Sequence, residues 1–321
     1  MKPPTQIVID VLAGSLSPER DVSLRSGRRV ADALRQLGAT VIERDLDANT
    51  LHSWRTSPAE CVVPLVHGAA GEDGALATLL EVLHLPFVGS ESAACRLAFD
   101  KAVAKAHLGA WNIRTPAFVA LPQTVFRELG ASEVLAAVID QLGLPLVVKP
   151  TRGGSAMGVS HVESSDQLPA AMMAAFAYSD TVLMERFIAG TELAICMLQD
   201  ESGLRALPTI SITPPGQLYD YDARYTAGLT QFTCPAALAP DHREAAVEAA
   251  LAAHRAFGLQ DWSRADLIVD NDGQPWILEV NAAPGMTETS LYPQALAAAG
   301  LDLGGTVLRL VQQAAERRVH R

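Results

Sequence analysis

Four side chains able to hold a metal ion or an oxyanion fall in two short runs, Arg264-Ala265-Asp266 and Glu279-Val280-Asn281. The dipeptide between the runs sets how they face. Asp272-Gly273 is a strong short-range signal of a tight hairpin. With those two as the loop, Asn271 pairs with Gln274, Asp266 with Glu279, and Arg264 with Asn281. Strand alternation then collects Ala265, Leu267, Val269, Trp276, Leu278 and Val280 on an apolar face. On the other face two carboxylates stand opposite each other, β-carbons roughly 5 Å apart, which destabilises a sheet unless the charge is neutralised. A divalent cation would neutralise it, because carboxylate and amide oxygens are hard ligands that Mg²⁺ takes beside substrate phosphates. A solvated face on which Arg264 balances the acids explains the hairpin equally well.

A second constellation lies upstream. Pro145 to Lys149 reads as a short buried strand, then Pro150-Thr151-Arg152-Gly153-Gly154-Ser155-Ala156-Met157-Gly158, then a strand from Val159 to Val162. Glycines there let backbone N–H groups converge on an anion, with Lys149 as a point charge at the mouth. The Gly-Lys-Ser/Thr ending and following helix of a Walker A loop are both missing. Alone, such a glycine cluster is more often an ordinary hairpin connection than a nucleotide site.

These residues need a framework. The 321 residues, 49% hydrophobic and 19% charged, should form two or three globular domains. A formal net charge of −11 argues against nonspecific binding to nucleic acid or an anionic membrane, so an anionic ligand needs local cations. Lys101, Lys149, Arg224 and Arg264 are the candidates. Cys61, Cys95, Cys196 and Cys234 lack zinc or redox spacing and suggest reduced thiols. Neither a signal-peptide core after Met1 nor a bilayer-length apolar run is present, so the cytoplasm is the expected location.

Ile7 to Leu12 reads as a strand, Ser17-Pro18 as N-cap and first position of a helix reaching about Gly38, and Val41-Ile42 and Cys61 to Val66 as further strands. A helix from Ala75 to about Leu83 follows. Alternating strands and helices imply a parallel sheet with ligands beyond the strands' carboxyl ends, where Glu19, His67, Glu72 and Asp73 fall. Glu19 could instead simply complement its helix dipole. Glu91 to Gly109 reads as one helix carrying Asp100 and Lys101, and Trp111 to Pro116 as a turn into a second lobe. That lobe ends on a strand from Thr181 to Glu185, connected through Arg186-Phe187-Ile188 and Glu192 to a strand from Leu193 to Leu198. Exposed backbone beside an acceptor suits an adenine edge, and a nearby carboxylate suits ribose, although both glutamates could be plain surface residues.

With Lys149, the loop to Gly158, Glu185, Glu192, Arg264-Ala265-Asp266 and Glu279 to Thr287 in this order, the chain resembles the ATP-grasp D-alanine–D-alanine ligases nearly end to end. The distinctive segments are Glu19 to Leu24, His67-Gly68 with Gly71-Glu72-Asp73-Gly74, Tyr219 to Tyr225, and Pro284-Gly285-Met286-Thr287 with Ser290. The resemblance implies an α/β (α+β) ATP-grasp fold of three lobes. These are an N-terminal Rossmann-like domain with a parallel sheet (1–98), a small central α+β lid domain (99–188), and a C-terminal α+β domain with an antiparallel sheet (189–321).

The implied activity is ligation of two D-alanines through an acylphosphate, with release of ADP and phosphate, for peptidoglycan precursors. By the same analogy, Lys101, Lys149, Gly154, Ser155 and Arg224 hold phosphates, while Glu185, Arg186, Phe187, Ile188 and Glu192 surround adenosine. Asp266, Glu279 and Asn281 carry two Mg²⁺ ions, for which Mn²⁺ could substitute. Glu19 and His67 serve the first D-alanine, Ser290 the second carboxylate, and Arg264 with the Gly285 N–H the oxyanion, while Glu19, Ser155 and Tyr225 link the loops. A homodimer is expected on the same ground. Gly153, Ala156, Arg224, Asp21, Ala69-Ala70 and Ala283 depart from the usual pattern, and they motivate an alternative ligase that makes another D-dipeptide or a specialised-metabolite amide.

Overall fold

The computed structural model describes residues 7–57, 59–216, 218–219, 223–224, 226 and 228–319. The first three strands, β1 (Val8–Ala13), β2 (Thr40–Asp45) and β3 (Cys61–Pro64), form a parallel sheet in the order β2-β1-β3. A central parallel strand is covered on both faces and reads as a nearly continuous apolar run. The exception, Asp10, is fully buried and accepts hydrogen bonds from Arg44 Nε (2.7 Å) and Trp54 Nε1 (2.8 Å). The helix Arg20–Gln36 covers this sheet with Ser23, Ser26, Gly27, Val30, Ala31 and Leu34, the stripe that three- and four-residue spacing produces. It begins later than the Ser17-Pro18 signal implied. Glu19 is the N-cap, and the Ser17 hydroxyl instead accepts the Glu19 N–H (3.0 Å) in the preceding turn.

The segment read as one helix from Glu91 is two, Ser92–Phe99 and Lys101–Ala110. Asp100 takes an extended backbone (ψ 110°), and its carboxylate accepts the N–H groups of Ala102 (3.1 Å) and Val103 (3.3 Å). An aspartate cap inside an otherwise helical pattern breaks it, and here it leaves Lys101 on the first turn of the second helix.

The central lobe holds β4 (Phe118–Pro122), β5 (Leu146–Pro150), β6 (Ser160–Val162) and β7 (Thr181–Arg186) in an antiparallel sheet ordered β4-β7-β5-β6. Leu146, Val148, Val162, Val182 and Met184 from this sheet pack with Leu135, Val138, Leu168 and Ala175 into a core of their own.

The C-terminal lobe contains β8 (Gly190–Asp200), β9 (Gly203–Ala206), β10 (Ile210–Thr213), β11 (Gln231–Thr233), β12 (Trp262–Asp270) and β13 (Pro275–Asn281). Their antiparallel sheet runs β11-β10-β8-β12-β13, with β9 also paired to β8. The core is shared across lobes: Ile9, Val11 and Leu34 pack in one cluster with Cys196, Trp262, Tyr292 and Leu296. No described helix is long and apolar enough to cross a membrane.

The β12–β13 hairpin corrects its expected register near the turn. Asp270 N–H donates to Gln274 O (3.0 Å), so Asn271 joins Asp272 and Gly273 in the loop, with Gly273 at φ +79°. The pairing is then one residue off until a bulge between Asp266 and Leu267 leaves Leu278 unopposed. Beyond the bulge Asp266 faces Glu279 and Arg264 faces Asn281, as the sequence implied. On the turn side the face of β13 is exchanged: Ile277 is fully buried, while Leu278 joins Ile268 in a cavity wall.

Candidate active site

Two adjoining cavities meet at Glu279. The first, about 280 Å³, lies between the central and C-terminal sheets, with Lys101, Lys149, Glu185, Phe187, Glu192 and Glu279 among its lining. The second, about 150 Å³, lies between the N-terminal lobe and the loop after β13, and includes Glu19, His67, Ser155, Arg264, Gly285 and Ser290. Gly154, Tyr219, Arg224 and Glu279 belong to both walls.

The glycine loop connects β5 to β6, and the cap at Asp100 anchors it. Lys101 N–H donates to Thr151 O (2.8 Å), Lys101 Nζ donates to Gly153 O (2.7 Å), and Arg152 Nε pairs with Asp100 (3.0 Å). Ser155 and Ala156 sit at φ +56° and +54°, a conformation costing non-glycine residues about 1–3 kcal/mol each. Gly154 lies so close to Glu19 that an added β-carbon would stand 2.8 Å from Oε1. The Ser155 hydroxyl donates to that same oxygen.

Lys149 Nζ contacts Glu185 Oε1 at 2.5 Å, and Lys105 Nζ contacts the other oxygen at 2.7 Å. Burial works to raise the Glu185 carboxyl, but Lys149 and Lys105 outweigh it and hold it below the ordinary carboxylate range. Lys105 escaped the sequence reading, because one turn beyond Lys101 it looks like a helix surface position. Arg186 points away to Leu142 O (3.1 Å), and the Arg186 and Phe187 N–H groups donate to Ala117 O (2.9 Å) and Pro145 O (3.1 Å). Ile188 lines the cavity beside them. Glu192 is pushed up to about 7 by burial, with Arg224 opposing and Asp266 and Glu279 adding to the rise.

The facing acids are neutralised within the chain, which decides for balance by cationic side chains over the need for a divalent ion. Arg264 grips Asp266 with two hydrogen bonds, Nε to Oδ1 (2.7 Å) and Nη2 to Oδ2 (2.8 Å), and Lys101 lies 3.2 Å from Glu279. Burial works against the Glu279 anion, yet Lys101, Arg224, Lys149 and Arg264 together hold its carboxyl well below the usual range. Asn281 Oδ1 accepts the Ala283 N–H (2.8 Å) and starts the following turn.

In the second cavity, burial and the Glu72 carboxylate raise the Glu19 carboxyl against the Ser155 hydroxyl, His67 and Lys101. His67 Nδ1 lies 3.5 Å from Glu72, and His67 Nε2 lies 3.2 Å from Ser26 Oγ. Ser26 Oγ also accepts the Met286 N–H (3.1 Å), and Arg29 donates to the Thr287 carbonyl. These two helix residues, absent from the sequence reading, join the loop at Gly285 to the N-terminal lobe. Ser290 stands at the N-cap position of the helix Leu291–Ala298, but its Oγ turns back to accept the Thr287 N–H (3.0 Å) rather than a helix N–H. Arg224 stacks on Tyr219, 4.5 Å from the ring centroid. Tyr225, expected beside Ser155, lies outside the described residues, as do Asp220, Tyr221 and Asp222 of the same segment.

Two antiparallel sheets from separate lobes, facing across a lysine-lined cavity and joined to a parallel-sheet domain, define an ATP-grasp protein. A family model described as D-ala D-ala ligase C-terminus matches residues 108–312. The D-alanine–D-alanine ligase of Desulforudis audaxviator is 41% identical over 312 residues, 96% of this chain and 99% of that protein. That of Bordetella avium is 39% identical over 293 residues, 91% and 90% of the two chains. The crystal structure of the Bacillus anthracis ligase is 28% identical, covers 97% of this chain and 98% of its own, and superposes with a TM-score of 0.81. The Bacillus anthracis ligase complexed with ATP is 27% identical, covers 98% and 99%, and gives 0.80. This chain belongs to the D-alanine–D-alanine ligase family.

Proposed function

We propose that this chain joins two D-alanines into D-alanyl-D-alanine at the expense of ATP, the step that supplies a peptidoglycan precursor. The observation that carries the reading is the meeting of two cavities at one cation-rich wall, where Glu279, Arg224 and Gly154 are common to both. A nucleotide in the larger cavity would present its terminal phosphate to a small amino acid in the other. The adenosine end falls to the Arg186–Ile188 backbone and Glu192, and the phosphates to Lys101, Lys149, Arg224 and the loop around Gly154 and Ser155.

Phosphoryl transfer asks the protein mainly to position groups and stabilise charge. Glu19, with Ser155 and His67 around it, fits the ammonium of the first D-alanine and so points its carboxylate at the γ-phosphate. That carboxylate oxygen attacks phosphorus, the bond to the ADP oxygen breaks, and a mixed anhydride results. The amine of the second D-alanine then attacks the acyl carbon and loses its proton, and inorganic phosphate departs. Arg264 and the Gly285 N–H would meet the oxyanion, and Ser290 at its helix start would meet the second carboxylate.

Asp266, Glu279 and Asn281 fit a pair of Mg²⁺ or Mn²⁺ ions. The carboxylates keep lone pairs beyond those given to Arg264 and Lys101, and the Asn281 oxygen keeps one beyond its backbone bond. Bound there, the ions would neutralise phosphate charge and polarise the γ-phosphoryl group. Two carboxylates and an amide suit a site completed by phosphate oxygens. Incubation with ATP, Mg²⁺ and a panel of D-amino and D-hydroxy acids, read by mass spectrometry and ADP release, tests the reading. D-Alanyl-D-alanine is the expected main product. Exclusive formation of another dipeptide or amide would transfer the assignment to a different acceptor, and nucleotide binding without ADP release would reject turnover. We also expect a homodimer, which light scattering on the purified chain would check.

A further inference from the structure

The geometry points to Lys105 as a positioning residue that frees the charge of Lys149 for the nucleotide phosphates, an inference resting on the ATP reading above. Lys105 is 1% exposed and is absent from the cavity lining, whereas Lys149 and Lys101 line it. It therefore acts on a ligand only through its neighbours. Its ammonium donates to Thr115 Oγ1 (2.5 Å), contacts Glu185 Oε2 (2.7 Å), and lies 5.4 Å from the Phe118 ring centroid. Burial of a cation is costly unless it is paired, so so closed a lysine marks a constraint other than solubility.

The constraint is charge balance. Glu185 presents one oxygen to each of two lysines. Were Lys149 its sole partner, the pair would be neutral and would offer little field to a phosphate. With Lys105 neutralising Glu185 from behind, the triad carries one net positive charge, which Lys149 brings to the cavity wall it shares with Glu185. Glu185 meanwhile keeps the two ammonium groups from repelling each other and fixes where Lys149 points. Burial lowers Lys105 to about 8 against the pull of Glu185, which still leaves it a cation at neutral pH. In a chain whose formal net charge is −11, a local excess of this kind has to be built from buried neighbours.

The test is calorimetric binding of ATP and of adenosine to the wild type, Lys105→Met and the charge-conserving Lys105→Arg, with a melting curve for each. Removing one charge from a buried cluster should weaken ATP binding by at least about tenfold. Adenosine binding should stay within about twofold, because no phosphate is involved. Lys105→Arg keeps the net charge and should hold ATP affinity within about threefold of wild type. Equal loss of ATP and adenosine, unchanged ATP binding in Lys105→Met, or Lys105→Arg as weak as Lys105→Met would overturn the proposal. Should Lys105→Met fail to fold, Lys105→Gln decides by the same criteria. A wild type that binds no ATP would instead remove the functional reading on which the inference stands.

Discussion

The two cavities that meet at Glu279 are built on different foundations. The smaller one lies between lobes that share a single core, in which Ile9 and Leu34 pack with Trp262 and Tyr292. The same lobes are further tied by Ser26 to Met286, by Arg29 to Thr287, and, away from the cavity, by Asp261, whose carboxylate accepts the Gly89 N–H (2.6 Å) and two bonds from Arg317 (2.6 and 2.8 Å). The larger cavity has one wall on the central lobe, whose core of Leu146, Val148, Val182 and Met184 is separate. Polar anchors reach that lobe, chiefly Ser155 to Glu19 and, from the helix Lys101–Ala110 whose Ala104 and Leu108 pack into the C-terminal core, Lys101 to Gly153. The smaller cavity is thus assembled by the fold, whereas the larger one is assembled by charges that a ligand can replace. A chemistry that must exclude water from an acylphosphate benefits from this division, since one wall can close on a substrate held by the other.

The largest expected effects break the two cores separately. Leu296→Ala and Met184→Ala each remove a fully buried side chain and should cost about 2–5 kcal/mol. Leu296→Ala should lower the main melting transition. Met184→Ala should raise amide exchange within 118–186 first, and a uniform rise across the chain would merge the two cores into one unit.

Acid supplies a second separation. His254 is buried, accepts from or donates to Ser263 Oγ (2.7 Å), and is lowered to about 4 by burial and by Arg255. A histidine depressed below its usual value near 6.5 is neutral in the fold, so its contribution is complete above about 6.5 and lost as pH falls toward 4. At about 1.4 kcal/mol per unit the loss approaches about 3 kcal/mol. Melting curves between pH 7 and 5 should therefore fall for the wild type and less steeply for His254→Gln. Parallel slopes would take the histidine out of the account.

Smaller effects sharpen the shared wall. Glu279→Gln removes a charge common to both cavities and should reduce Mg²⁺-dependent turnover by at least about tenfold. Unchanged magnesium dependence would contradict its proposed place among the ligands. Arg264→Lys keeps the charge but loses the planar fork on Asp266, so turnover should fall by several-fold while ATP affinity holds. Equal losses in the two would move Arg264 to the nucleotide side.

Much of this division is legible in the residues, and its limits have physical causes. The facing of Asp266 and Glu279 follows from the sequence, although the loop holds one residue more than Asp272-Gly273 implies. The bulge at Leu278 returned the pairing to its expected register, and no glycine or proline marks that bulge. Asp100 reads as a helix position by periodicity, and its role as a cap depends on which N–H groups its carboxylate reaches. Lys105 is invisible in the sequence because its meaning comes from Glu185, distant in the chain, while Lys101 nearby is nominated by the family resemblance. Ser26 and Arg29 were hidden for the same reason, since their partners are backbone groups of a remote loop. Balance of the acids by Arg264 is one of two readings the sequence leaves open, and the part of Lys101 emerges only from the packing of its helix against Glu279.

Hydrogen–deuterium exchange with and without ATP and Mg²⁺ tests the central contrast most directly. Added protection should concentrate in 146–162 and 181–192, with the helix Arg20–Gln36 and the loop 284–290 little changed. Equal gains on both cavities would show that neither site precedes its ligand, and the contrast between them would fail.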